Sequence, residues 1–161
     1  MERVNIYIGI NPANTRKSKK RYGFVLECIR KNEPQTVERF GDCEETYNGA
    51  TLKALNLALE RMIKTCEIHI HTENTYILSM IEKNLDLWVG TGFTTSKGEP
   101  LKSQEEWRKL WQHSVKHLLV SEPGKHTYLE WIKETVSDDE KYEKQLEKQR
   151  REDERKVRGH K

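Results

Sequence analysis

The 161-residue chain has no run of eighteen apolar residues, which excludes a membrane-spanning helix. Its three cysteines, Cys28, Cys43 and Cys66, are odd in number and show no CxxC spacing. That excludes a disulfide framework and a thiolate zinc site, and it suits reduced thiols in a cytoplasmic protein. No Gly-Lys-Ser or Gly-Lys-Thr follows a glycine run, so no phosphate-cradling loop of that kind is present. No cysteine–histidine pairing motif marks a nucleophile. The opening Met-Glu-Arg-Val-Asn-Ile-Tyr-Ile lacks the apolar stretch of a signal peptide and reads directly as a strand. Charge of one sign is lacking too: charged residues make up 34% of the chain, yet the net charge is only +3.

The charge that exists is unevenly placed. Residues 1–40 carry nine Lys/Arg against four Asp/Glu, and Arg16, Lys17, Lys19, Lys20 and Arg21 fall within six residues. Such a cluster can supply phosphate contacts; the alternative is a solvated loop. The segment Ser137–Lys161 holds nine Lys/Arg and eight Asp/Glu, with Tyr142, Leu146 and Val157 its only apolar residues. Glu140–Lys144 and Glu147–Arg151 have the spacing of helical ion pairs. The segment therefore reads as a solvated or fraying helical extension, with too little apolar surface to fix it on the body.

Periodicity orders the rest. Val4, Ile6, Ile8 and Ile10 alternate with Asn5, Tyr7 and Gly9, which predicts a first strand. Asn11–Arg21 reads as a loop, Tyr22–Arg30 and Thr36–Phe40 as the next two strands of an antiparallel meander. Leu52, Leu55, Leu59, Met62 and Ile63 predict an amphipathic helix over 47–64. Trp88–Ser103 is glycine-rich. Ser103–Glu106 has a capping-box pattern opening a helix through Trp107 and Trp111, four apart and suited to a core. Val115–Val120 is predicted as the fifth strand and His126–Val136 as a helix. The expected architecture is α/β: a mixed five-stranded sheet flanked by helices over 1–136, with 137–161 as a charged helical extension.

Cys66–Tyr76 carries the most chemistry. It reads as a strand with Ile68 and Ile70 on one face and Glu67, His69, His71 and Glu73 on the other, followed by a helix capped by Asn74 or Thr75. Histidines and a carboxylate on one strand face can bind zinc if they converge, but alternate residues lie about 6–7 Å apart, and cross-strand packing with Asn5 and Tyr7 explains them as well.

Several stretches together resemble the bacterial type of ribonuclease H. They are Val4–Ile8, Tyr22–Leu26, Glu45–Asn48 with Leu52–Leu55, Thr72-Glu-Asn-Thr-Tyr76, Trp88, Phe93–Pro100, Lys102 and Trp107, with His117 at the start of the last strand. The resemblance implies a nuclease fold in which four carboxylates hold two magnesium ions that clamp the attacking water and the leaving oxygen. It also implies departures. The carboxylate positions on the first strand and first helix correspond to Gly9 and Thr51; Glu73 is the one retained. Glu130, Glu134 or Asp138 stands nearest the fourth position, and His126 corresponds to a loop histidine that assists product release, with a plain surface histidine as the alternative. Asn48, Trp88, Phe93, Lys97 and Lys102, with the cluster Arg16–Arg21, are the expected nucleic-acid contacts.

Two divalent ions about 4 Å apart repel strongly, and one or two carboxylates do not offset that repulsion. The expectation is a ribonuclease H-like protein that binds RNA/DNA hybrid or duplex without hydrolysing it and needs no cofactor. Two alternatives stay open. One is a magnesium-dependent ribonuclease with a rebuilt site around Glu73. The other is a protein-interaction module that docks partners through its C-terminal helix.

Overall fold

A computed structural model describes residues 1–159. Five strands, β1 (Glu2–Asn11), β2 (Ser18–Arg30), β3 (Glu33–Glu45), β4 (Cys66–Thr72) and β5 (Leu118–Pro123), form one sheet in the order β3-β2-β1-β4-β5. β1, β2 and β3 pair antiparallel, and β4 and β5 join in parallel. Both faces of β1 are covered, so its burial is continuous from Val4 to Ile10 although its chemistry alternates. Val4, Ile6, Ile8 and Ile10 join a core with α1 (Tyr47–Leu59), α2 (Thr75–Lys83), α3 (Leu85–Thr91) and α4 (Gln104–Lys116). The opposite face carries Tyr7, Val25 and Phe40, roofed by Ile132 and Val136 of α5 (Leu129–Ser137) and Tyr142 of α6 (Asp139–Gly159).

Several boundaries differ from the sequence reading, each for a local reason. β2 begins at Ser18 rather than Tyr22 because Lys19, Lys20 and Arg21 pair with Glu44, Cys43 and Asp42 of a longer β3. α1 ends at Leu59, with Glu60 closing it through bonds to Ala58 and Asn56 carbonyls, and leaves Ile63 98% exposed. Trp88 lies in α3, which ends on the left-handed Gly92. Ser103 is itself left-handed and makes no side-chain cap, so the expected capping box is not formed. Val115 belongs to α4, and the fifth strand starts three residues later. Asn74 is the cap of α2: its side-chain oxygen accepts from the Ile77 amide at 3.1 Å.

The larger correction concerns the C-terminal segment. α6 lies along the outer strand β3 rather than in solvent. Tyr142 is only 2% exposed, and the Arg21 guanidinium sits 4.1 Å from its ring centroid. Burial, then the Asp42 carboxylate, pushes the Tyr142 hydroxyl up to about 12. Gln149 accepts from the Phe40 amide and donates to the Phe40 carbonyl, making one side chain serve as a pairing partner for an edge strand. Arg39 reaches Glu152 at 3.0 Å and Asp153 at 3.5 Å, and Arg21 reaches Asp139 at 2.8 Å. Few apolar residues suffice because polar side chains satisfy exposed backbone groups and charges at spaced points.

Tyr142→Ala is expected to lower unfolding stability in urea by about 3–5 kcal/mol, the range for deleting a buried aromatic. Lys144→Ala, which removes only an exposed 3.3 Å pair with Glu140, is expected to cost at most about 0.5 kcal/mol.

Candidate active site and nucleic-acid interface

The parallel ladder of β1 and β4 pairs Tyr7 with His71, so two residues further on Gly9 and Glu73 stand level at the carboxyl end of the sheet. Across the antiparallel ladder Gly9 faces Gly23. This pair of glycines lets α5 approach closely. A Cβ on Gly9 would lie 2.6 Å from Ile132 Cγ2, and one on Gly23 would lie 2.9 Å from the same atom. The space a side chain at position 9 would use is filled by Ile132, which is fully buried.

One residue along α5, Lys133 places its ammonium 2.7 Å from Glu73 Oε1. Both side chains are about a third exposed, at 39% and 31%. Thr51 is fully buried; its hydroxyl donates to the Tyr47 carbonyl and accepts from Asn74 Nδ2. Asn74 Nδ2 also donates to Asn48 Oδ1 at 3.0 Å. The place opened by Gly9, Thr51 and Glu73 is therefore occupied by an isoleucine, a neutral hydrogen-bonded network and one ion pair.

The acidic residues considered for the fourth position lie elsewhere. Glu134 pairs with Lys141, Asp138 accepts from the Lys141 amide at the start of α6, and Glu130 is exposed on the first turn of α5. The strand-face histidines do not converge on Glu73. His69 uses one nitrogen on Glu67 at 2.7 Å and the other on Glu122 at 2.9 Å, while His71 Nε2 meets Asn5 Oδ1 at 3.0 Å. Hydrogen bonds to His69 hold the Glu67 and Glu122 carboxyls below their ordinary range. Among the described residues, no group of three or more His, Cys, Asp or Glu side chains is arranged to hold a metal ion. The residues present do not fit a pair of divalent ions.

His126 is half-buried rather than a loose surface group. Its Nε2 donates to the Ile8 carbonyl at 2.9 Å, its Nδ1 accepts from the Tyr128 amide at 3.3 Å, and its ring lies 5.2 Å from that of Tyr7. This pattern needs the neutral ring, and burial lowers its pKa.

The expected nucleic-acid contacts divide into two groups. Arg16, Lys17, Lys19, Lys97 and Lys102 are exposed. Lys20 is not: it is 0% exposed, with its ammonium bonded to Asn14 Oδ1, the Arg16 carbonyl and Ser18 Oγ, so it organises the loop from inside. Arg21 is turned to Val136, Asp139 and Tyr142. Phe93 is 6% exposed, and Trp88 packs edge-on against Trp107 at 4.8 Å, so both support the loop from beneath. Asn48 lines a cavity of about 210 Å³ with Thr15, Thr46, Tyr76, Lys102 and Ser103. Hydroxyls, an amide and an ammonium around one concavity are donors suited to phosphate oxygens. Thr15 and Tyr76 were missed as candidates because only the fold brings them to Asn48. Lys133 had no sequence signal, since sixty positions separate it from Glu73.

Gly9→Asp is expected to destabilise the fold by about 1–3 kcal/mol through overpacking, with Gly9→Asp/Ile132→Ala recovering part of the loss in urea unfolding. A second expectation concerns pH. Burial is the leading cause that lowers the pKa of His71, His113, His117 and His126. The unfolded chain then binds protons more readily than the folded one below about pH 6.5, so stability is complete above that value and declines as acid passes through the folded pKa values. Urea midpoints should be flat between pH 7 and 8 and fall from pH 6.5 to 5, with His126→Gln reducing the fall.

The ribonuclease H family model matches residues 4–134. Ribonuclease HI of Xylella fastidiosa is 32% identical over 95 residues, which cover 59% of this chain and 62% of that protein. A ribonuclease H of Novosphingobium aromaticivorans is 28% identical over 114 residues, covering 68% and 80%. The chain thus spans about three fifths of the Xylella relative's length. Among solved structures, LC9-RNase H1, a type 1 RNase H with the type 2 active-site motif, superposes with a TM-score of 0.70 at 15% identity, covering 83% of this chain and 70% of that one. The foamy viral protease-reverse transcriptase in complex with RNA/DNA hybrid gives 0.57 at 16% identity, covering 74% and 17%. These last two likenesses bear on the fold alone. The match over most of the chain places this protein in the ribonuclease H family.

Proposed function

We propose that this chain is a ribonuclease H-fold protein that binds nucleic acid at the carboxyl end of its sheet and does not hydrolyse it. The observation that carries this reading is the 2.7 Å pair between Lys133 and Glu73. A lysine ammonium there neutralises the one carboxylate retained at the position that, in the family, faces metal. Binding two adjacent divalent ions requires concentrated negative charge, and here the local charge is cancelled by the protein itself. Ile132 above Gly9 adds a steric reason, because the nearest space for a further ligand is filled.

Binding rests on different residues. Arg16, Lys17, Lys19, Lys97 and Lys102 are exposed, and the cavity around Asn48 presents donors between them. A solved member of this fold is held in complex with an RNA/DNA hybrid, which makes hybrid the first ligand to test. A magnesium-dependent ribonuclease remains the competing reading, supported by the ribonuclease names of the relatives.

The test is a labelled RNA/DNA hybrid incubated with the protein in magnesium or manganese, alongside a binding titration across salt concentrations. The expected outcome is no cleavage above that of Glu73→Gln. Binding should weaken with a slope of log K against log salt of at least about −4, from five exposed cations at about 0.9 each. Metal-stimulated cleavage that disappears in Glu73→Gln would overturn the proposal in favour of the nuclease.

A further inference from the structure

We infer that the outer face of α6, together with Arg61, forms a second track for the phosphate backbone of nucleic acid, apart from the carboxyl end of the sheet; this rests on the nucleic-acid-binding reading above.

The inference starts from helical spacing. Tyr142, Gln145, Leu146, Gln149 and Glu152 recur at three and four residues and form the inward stripe of α6, held on β3. That leaves a second stripe facing out, with Lys141, Lys144, Lys148, Arg151, Arg155 and Arg158 also at alternating intervals of three and four. Residues at this spacing line one side of a helix. Lys144, Lys148, Arg151 and Arg155 line one shallow concavity together with Glu147.

At Arg155 the stripe meets a second open concavity. Arg39, Arg61, Arg155 and Lys156 line a cavity of about 430 Å³ between α6 and the connection from α1 to β4, with Glu38 and Glu152 the only acidic groups in its wall. Arg39 is fully engaged by Glu152, Asp153 and the Glu38 carbonyl. Arg61, Lys148, Arg155 and Lys156 make no ion pair among the described residues. Arg61, Arg155 and Lys156 share one concavity and Lys148 and Arg155 the next, so these four cations present open positive charge along a helix docked by its other face. The pairs that do lie on the stripe, Glu140–Lys144 and Glu147–Arg151, are exposed and so are displaced at little cost.

Geometry favours an extended polyanion over a compact one. From Lys144 to Lys156 the helix rises roughly 18 Å, the rise of about five phosphates along one strand of a duplex. An acidic protein segment would meet the same charge, but the chain's fold and its exposed cations at the sheet end already favour a nucleic acid that continues past the body.

The test uses the full chain and a hybrid long enough to extend beyond the sheet end, compared with a short one that covers only that end. The variant Arg61→Gln/Lys148→Gln/Arg155→Gln/Lys156→Gln spares the hydrogen bonds and ion pairs that dock α6, and an unchanged thermal midpoint verifies this. On the long hybrid the variant's salt slope should be shallower than the wild type's by about 3–4, at about 0.9 per phosphate lost, and on the short hybrid the two should coincide. Equal slopes on the long hybrid would overturn the track while leaving binding at the sheet end intact. Wild-type protein that binds neither hybrid would overturn the underlying reading as well, and binding of an acidic peptide by this face in that case would assign it to a protein partner.

Discussion

The close seating of α5 on Gly9 and Gly23 is the contact from which the rest of this molecule follows. Without side chains at these two paired positions, Ile132 sits directly on the sheet. The seating fixes the rotation of α5, and that rotation carries Lys133 over Glu73 on one side. On the other it delivers the chain to Arg21, whose bonds to the Val136 carbonyl and Asp139 start α6 along β3. Helix packing, the chemistry of the candidate site and the covered sheet edge are thus one arrangement. A bulkier residue at position 9 would disturb all three together.

Charge is handled in two contrasting ways. Lys20 is buried without a carboxylate: three neutral oxygens receive its ammonium protons, so the charge is hydrogen-bonded but not cancelled. Burying a lone ammonium costs several kcal/mol unless such acceptors are supplied. The gain is a fixed loop that holds Arg16, Lys17 and Lys19 outward. Glu73 and Lys133 do the opposite. Their charges cancel, in a partly exposed setting where the pair contributes little to stability. Its importance is electrostatic rather than energetic, since a neutral pair attracts divalent ions far less than a bare carboxylate does.

Much of the fold was legible in the chain because its signals are local. The alternation Val4–Ile10, the leucine spacing of α1 and a cap at Asn74 or Thr75 each depend on neighbours a few residues away, and the structure shows the strand, the helix and Asn74 as the cap. What was not legible depends on distant partners. Lys20 looks like its four basic neighbours, and only the fold turns it inward. Phe93 and Trp88 look like a stacking platform, but the loop folds over them. α6 looked too polar to dock, because sequence periodicity counts apolar residues and gives no weight to a glutamine that pairs with a strand edge or to a tyrosine buried under an arginine.

The network at Thr51 bears on why a chain of this family keeps its shape with so few acids in its centre. A glutamate at this fully buried position would face Asn48 and Asn74, neutral amides already committed to each other and to the α2 cap. An uncompensated buried carboxylate costs several kcal/mol, or takes up a proton. Threonine avoids both outcomes: its hydroxyl donates to the Tyr47 carbonyl and accepts from Asn74, which leaves no unpaired group. The same logic applies to isoleucine over Gly9 and lysine beside Glu73. Each of the three fills space or balances charge from within the polypeptide. The polar groups around Thr51 and Glu73 thus find their partners within the polypeptide, while Ile132 fills the space over Gly9.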